Sequence, residues 1–166
     1  GTITVRSVEP GEVIIISQAG TESLFPFGRN TPRAHCIFEH IYFARPDSRL
    51  FGDVAHMVRK RLGAEVACEH PVEADVVVPI PDSGNSAAMG YARASGIPLD
   101  FGITRNHYIG RTFLQPEQAI RDFGVRVKLN PVREIIGGKR VVVVEDSIVR
   151  GTTTVLRMNN IREAGA

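Results

Sequence analysis

The chain has 166 residues, 43% of them hydrophobic and 23% charged, with a net charge of +2. That length suits one ordinary domain, or one domain carrying part of another, and the apolar share can bury a core, which excludes a disordered tail. The balanced charge gives no overall attraction to nucleic acid, and the longest apolar runs, about half a dozen residues, fall short of the ~20 that a membrane helix needs.

Two cysteines, Cys36 and Cys68, without a C-x-x-C spacing argue against a disulfide framework and for a cytoplasmic protein. No charged and then apolar start marks a signal peptide. The last residues, from Ile161 to Ala166, read as the end of a helix with a glycine cap. An alternating β/α pattern calls for a strand after it, so the chain is expected to be a piece of a longer protein.

Thr2 to Val8 and Glu12 to Ser17 are β-rich and predict a hairpin about Glu9-Pro10-Gly11. Residues 18–34 are polar, with Gly20, Pro26, Gly28, Asn30 and Pro32, and predict a linker or surface loop. Cys36 to Ala44 predicts a mixed apolar strand. Over residues 52–68, Val54, Met57, Val58, Leu62 and Val66 recur at helical spacing.

Ala74 to Ile80 is a β-branched run with little alternation, the pattern of a strand buried on both faces. A helix from about Ser86 to Ser95 follows, stopped by Gly96 and Pro98, and then a short strand from Leu99 to Thr104. Residues 105–118 lack periodicity and predict a long loop, a feature that in compact domains is commonly functional. Lys139 to Val144 predicts a second fully buried strand, and Thr153 to Ala164 a helix. The succession predicts an α/β fold, a parallel sheet flanked by helices, with ligand loops at the carboxyl ends of its strands. There is no internal repeat.

The residues with chemistry gather at those strand ends. In VVVVEDSIVRGTTT, Val141 to Thr154, four valines deliver Glu145 and Asp146 to the rim of the sheet. Adjacent carboxylates there need hydroxyl donors or a metal ion to offset their repulsion. Ser147 to Thr154 then leads into a helix, with Gly151 allowing a tight turn. The hydroxyls of Thr152, Thr153 and Thr154 and the first helical N–H groups form a cradle for one phosphate, which a helix amino end favours by roughly 0.3–1 kcal/mol. An acidic pair for a polyol beside an amide nest for a phosphate fits a ribose 5-phosphate. The plainer alternative is a buried strand followed by a Thr-rich helix cap.

The other strand end, Pro79 to Ser86, repeats the logic. Asp82, Ser83, Gly84, Asn85 and Ser86 make a small-residue loop suited to a pyrophosphate and its cation, although Asp-Ser-Gly is also a common turn. The loop RNHYIGRTFLQ, from Arg105, offers two arginines, a tyrosine and a glycine hinge, the make-up of a lid over an anion or of a solvated surface loop. His35, His40, His56, His70 and His107 show no metal-ligand spacing.

With those residues in view, VVVVEDSIVRGTTT resembles the phosphoribosyl pyrophosphate (PRPP) signature of the type I phosphoribosyltransferases. Taken with CIFEHIYFARPDS, PIPDSGNSAAMGYA and RNHYIGRTFLQP, it resembles the glutamine PRPP amidotransferases among them, over residues 36–154. That family releases ammonia from glutamine at an N-terminal cysteine and passes it to a second domain. There the ammonia displaces pyrophosphate from PRPP to give 5-phosphoribosylamine, the first committed step of purine synthesis.

The resemblance implies a type I phosphoribosyltransferase sheet over residues 35–166, incomplete at its C-terminal end, with residues 1–34 the end of a glutaminase domain and a linker. It implies that Arg150, Gly151, Thr152, Thr153 and Thr154 hold the 5-phosphate, with Ser147 in the same loop. Asp146 and Glu145 would meet ribose hydroxyls or magnesium. Asp82, Ser83 and Gly84 would form the pyrophosphate loop, Ser83 beside a magnesium ion. Arg105, Tyr108 and Arg111 would lie on the closing loop, and Lys128 would reach the pyrophosphate.

The family commonly has Asp-Asp where this chain has Glu145-Asp146, and often Lys where it has Arg105. Its glutaminase cysteine has no counterpart here, so the chain by itself is expected to be inactive with glutamine. Some members hold a 4Fe–4S cluster on four cysteines, and Cys36 matches the first of them. The family also implies a homo-oligomer and no nucleic-acid or membrane partner. Two other readings stay open on the residues alone, a nucleobase phosphoribosyltransferase and a non-catalytic PRPP-sensing regulator.

Overall fold

A computed structural model of the chain describes residues 5–107 and 129–166. The chain divides into two compact units, Gly1–Cys36 and Ile37–Ala166.

In the first unit, β1 (Val13–Ser17) pairs antiparallel with β2 (Gly20–Leu24), Val13 opposite Leu24 and Ser17 opposite Gly20. The hairpin therefore turns at Gln18-Ala19, inside the stretch expected to be a linker. It does not turn at Glu9-Pro10-Gly11, and residues 5–8 form no strand. Side-chain bonds explain the shift. The Arg6 guanidinium donates to both Glu12 carboxylate oxygens, at 2.6 and 2.9 Å, and the Glu9 amide donates to Glu12 at 2.7 Å. Residues 9–12 thus close on themselves as a turn. The Arg6 bond, with lesser help from Ser23 and the Glu9 amide, lowers the Glu12 pKa to about 2. On the other side, the Ser17 hydroxyl accepts from the Ala19 amide at 3.2 Å and Gly20 takes φ 126°, a conformation that favours glycine.

The second unit opens with a π-helical turn, Glu39–Phe43, where a strand was expected over Cys36 to Ala44. Its i+5 bond runs from the Ala44 amide to the Glu39 carbonyl, 2.9 Å. The turn brings the Phe38, Tyr42 and Phe43 rings together, centroids 5.5–5.9 Å apart, a stacking that an extended chain would prevent. The buried Arg59 holds it from below, its Nε donating to the His40 carbonyl at 2.7 Å and its Nη2 to the Ala44 carbonyl at 2.8 Å. A small ladder of β3 (Arg49–Leu50) and β4 (Asp53–Val54) leads into helix α1 (Ala55–Glu69).

Strand β5 (Val76–Pro79) is the centre of this unit. It pairs in parallel with β8 (Val141–Val144), Val76 opposite Val141 and Pro79 opposite Val144. On its other edge the Val77 amide donates to the Pro98 carbonyl at 2.8 Å and the Asp100 amide to the Val77 carbonyl at 3.0 Å. The chain at Leu99 therefore touches the sheet through an isolated bridge. The regular strand expected from Leu99 is β6, Ile103–Arg105, antiparallel to β7 (Leu129–Pro131).

Covered on both edges and both faces, β5 is fully buried. Strand β8 is only half-buried, against the expectation of a second fully buried strand, because among the described residues it pairs with β5 alone. Lys139 and Arg140 precede it. Arg140 instead clamps the strand starts together, its amide and guanidinium bonding the Asp75 carboxylate at 2.8 and 3.1 Å, which holds the Asp75 carboxyl below its ordinary pKa.

Strand alternation splits the core into two layers. Val76, Val78 and Ile80 pack with Ile103, Leu129, Ile136 and Ile161, under α3 (Arg133–Ile136) and α4 (Thr152–Glu163). Val77 faces the other way, onto Ala67, Ala88 and Tyr91 of α1 and α2 (Asn85–Ser95). Burying each such aliphatic side chain contributes about 1.5–3 kcal/mol. Helices α1 and α2 touch backbone to backbone at two glycines, since a Cβ on Gly63 would stand 1.9 Å from the Ala87 carbonyl oxygen and one on Gly90 1.9 Å from that of Lys60. Helices thus flank a parallel sheet on both faces, the α/β architecture read from the sequence.

Candidate active site

Parallel strands send their carboxyl ends to the same side, so the loops after β5 and β8 emerge next to each other. One backbone bond ties them, the Ile80 amide donating to the Val144 carbonyl at 2.8 Å. Gly84 then folds back, its amide donating to the Ile80 carbonyl at 2.9 Å, and it rests directly on the Val144 carbonyl. A Cβ on Gly84 would lie 2.2 Å from that oxygen. Glycine is therefore required here to let the two loops approach, a role distinct from contacting a ligand.

The Pro81–Asp82 peptide is cis. Asp82 forms an ion pair with Arg105 at the end of β6, so Arg105 sits on a strand end and not within the expected loop. The Arg105 Nε is sealed from solvent and has no partner among the described residues. Behind the loop the Ser86 hydroxyl and His56 Nδ1 lie 2.9 Å apart.

Ser83, Glu145, Asp146, Ser147 and Thr154 come together on one open groove of about 810 Å3, which continues along the half-buried β8. The Ser147 hydroxyl donates to Asp146 Oδ1 at 2.7 Å. Glu145 forms an ion pair with Arg157 of α4, and both side chains are about four-fifths buried. Burial lowers the Arg157 pKa, yet an arginine starts far enough above neutrality to keep its charge. The expected repulsion within the acidic pair is thus offset by a guanidinium from the helix as well as by a hydroxyl.

Gly151 takes φ 75° and caps α4, whose amino end has no side-chain cap. Its first N–H groups therefore have no partner within the helix, with Thr152 and Thr153 exposed and Thr154 half-buried. Arg150 is exposed on the same loop, outside the groove lining. Tyr108, Arg111 and Lys128 lie outside the described residues.

Among the described residues no three His, Cys, Asp or Glu side chains gather as a metal site. Cys36 and Cys68 are both exposed free thiols. A 4Fe–4S cluster needs four thiolates, and the two cysteines of this chain do not supply them.

Sequence reasoning missed Arg157 and Arg59. The signal for Arg157 was its helical spacing, since it falls three residues after Thr154 and four before Ile161 on the inward face of α4. Arg59 carried a comparable mark as a charge among the apolar positions of α1, and only the fold shows which carbonyls it serves.

The chain is 53% identical over 161 residues to a chloroplastic amidophosphoribosyltransferase of Glycine max, covering 97% of this chain and 28% of the relative. It is 53% identical over its full length to the amidophosphoribosyltransferase of Bacillus subtilis, covering 35% of that protein. A solved glutamine PRPP amidotransferase from B. subtilis, in complex with ADP and GMP, superposes with a TM-score of 0.80 at 54% identity, covering 98% of this chain and 35% of that one. Over 97–100% of its length the chain is similar to a segment of the amidophosphoribosyltransferases.

It spans about a third of the length of the curated amidophosphoribosyltransferases it matches. No protein-family model matches it. Among the described residues no helix is long and apolar enough to cross a membrane.

Proposed function

We propose that the chain carries the PRPP site of an amidophosphoribosyltransferase. In that reaction ammonia derived from glutamine attacks C1 of the ribose, the C1–O bond breaks, and pyrophosphate leaves with the electron pair, giving 5-phosphoribosylamine for purine synthesis. The reading is supported above all by one observation, the convergence of Ser83 from one strand end and Asp146, Ser147 and Thr154 from the next on a single groove.

The helix amino end at Gly151, with Arg150, Thr152, Thr153 and Thr154 around it, suits the 5-phosphate. Glu145 and Asp146 face the ribose hydroxyls, and their negative charge tolerates the positive charge that develops on the ring. Asp82, Ser83 and Gly84 form the turn for the pyrophosphate, with Arg105 at its side. Tyr108, Arg111 and Lys128 would complete the cover over the leaving group and exclude water.

Magnesium fits this donor set. The Asp146 carboxylate and the Ser83 hydroxyl are hard oxygen donors on the same groove, and magnesium is commonly held by one or two carboxylates plus substrate phosphates. When bound, magnesium neutralises charge on the pyrophosphate as it leaves. Cytoplasmic location and a homo-oligomeric assembly belong to the same proposal, on the strength of the family.

The test is titration calorimetry of PRPP with and without magnesium, on wild type and on the double variant Asp146→Ala, Arg150→Ala. We expect magnesium-dependent binding that the double variant abolishes. Unchanged affinity in that variant overturns the site. Formation of a nucleotide from a free base, with no phosphoribosylamine from ammonia, overturns the reaction.

A further inference from the structure

Arg157 lies outside every loop that a ligand would touch, yet its guanidinium reaches the acidic pair. It shares the inward face of α4 with Thr154 and Ile161 and pairs with Glu145 at a point where the two side chains are 21% and 18% exposed. Its Nε is sealed from solvent and has no partner among the described residues. A guanidinium and a carboxylate both about four-fifths buried lose hydration that their pairing only partly returns, so the pair is weak evidence for a purely stabilising role. The geometry offers a second role.

The bond runs from Arg157 Nη1 to Glu145 Oε1. A carboxylate has a second oxygen, and Glu145 lines the groove with Asp146 and Ser83. The two acidic residues are thereby given different environments, Glu145 anchored to the helix and Asp146 bonded to the Ser147 hydroxyl at 2.7 Å.

We propose that Arg157 is a positioning residue. It clamps Glu145 Oε1 onto α4 so that Oε2 is presented to the groove as a fixed acceptor for a sugar hydroxyl, leaving Asp146 as the carboxylate free to meet the cation. A glutamate has three side-chain torsions, and without the clamp its head would sample several positions. Fixing it in advance spares the sugar that ordering. The inference rests on the PRPP reading and deepens it, because α4 then supports the ribose pocket along its length as well as the phosphate at its amino end.

The test compares Arg157→Met, Arg157→Lys, Glu145→Gln and the double variant Arg157→Met, Glu145→Gln in the full chain, by PRPP calorimetry with magnesium and by thermal melting. Arg157→Met is expected to lower the melting temperature and to weaken PRPP binding at least tenfold, and Arg157→Lys to recover part of both. Read against Glu145→Gln alone, the double variant decides between the clamp and a merely structural pair. Under the clamp Arg157→Met adds no more than twofold to the PRPP loss that Glu145→Gln already causes, and a larger added loss overturns the proposal. The double variant has no buried unpaired charge, so it folds and recovers the melting temperature, while its PRPP affinity stays at least tenfold down because no clamped carboxylate remains.

PRPP affinity within twofold of wild type in the double variant, or in Arg157→Met, overturns the proposal. Wild type that fails to bind PRPP overturns the underlying reading, and this inference with it. Loss of binding in Asp146→Ala, Arg150→Ala with no loss in the Arg157 variants overturns the inference alone.

Discussion

Replacing Gly84 by alanine tests whether the two site loops depend on a single backbone contact. Gly84 has φ −76° and ψ −13°, a conformation that alanine adopts freely, so the cost is steric and not conformational. The added Cβ would stand 2.2 Å from the Val144 carbonyl oxygen, against an ordinary contact beginning near 3.4 Å, and 3.0 Å from the Ile80 oxygen. One loop must retreat by about 1 Å, and overpacking of this kind costs about 1–3 kcal/mol.

That retreat strains the 2.8 Å bond from the Ile80 amide to Val144, whose loss adds about 1 kcal/mol. A destabilisation of about 2–4 kcal/mol corresponds to a melting temperature lower by roughly 5–15 °C in a domain of this size. Because Val144 directly precedes Glu145 and Asp146, the same shift displaces the acidic pair, and we expect PRPP affinity to fall at least tenfold. Circular dichroism melts and calorimetry on the same samples read both effects. Melting within 1 °C of wild type together with affinity within twofold would refute the claim that Gly84 is there for close approach.

Two further predictions concern the π turn and the first unit. Arg59→Met leaves the His40 and Ala44 carbonyls without their guanidinium donor, and at about 1–3 kcal/mol for each stranded acceptor the urea midpoint should fall clearly with an unchanged m-value; an unmoved midpoint would show that the π turn stands without Arg59. In the first unit, the Glu12 pKa is lowered from 4.5 to about 2, so its contribution to stability is complete above pH 4.5 and lost as the pH falls toward 2. Amide chemical shifts of the β1–β2 hairpin followed through acid should hold steady to about pH 3, and Glu12→Gln should remove the acid transition; a midpoint near 4 in wild type would refute the Arg6 clamp.

Where a segment declared itself by one strong local constraint, its structure was legible in the residues. The β-branched run at Val76 is buried on both faces as read, whereas the same pattern at Val141 is only half-buried because among the described residues that strand pairs with β5 alone; Gly96, with φ 75°, stops α2 as read. Where two local constraints competed, the residues left the outcome open. Glu9-Pro10-Gly11 read as the hairpin turn and Gln18-Ala19 as the start of a linker, and the hairpin instead turns at the second, the side-chain bonds of Glu12 closing the first into a separate turn. The aromatic run around Tyr42 had the composition of a strand, and a buried arginine nineteen residues after His40 made it a π turn.

The site shows the same division. The strand-end position of Glu145, Asp146 and the glycine-threonine turn followed from period and composition, because a valine run has to end somewhere and polar small residues follow it. Only the tertiary structure decided that Asp82 is engaged by Arg105, that Glu145 is held by Arg157, and that Gly84 is a spacer between loops. Each of those depends on chain segments brought together across the sheet, and such long-range proximity leaves no periodic mark in a single sequence. What the sequence determined alone was therefore the chemistry available and the element that carries it. Which charges remain free to act on a substrate was settled by the packing, since a partner's reach depends on the distance between folded elements.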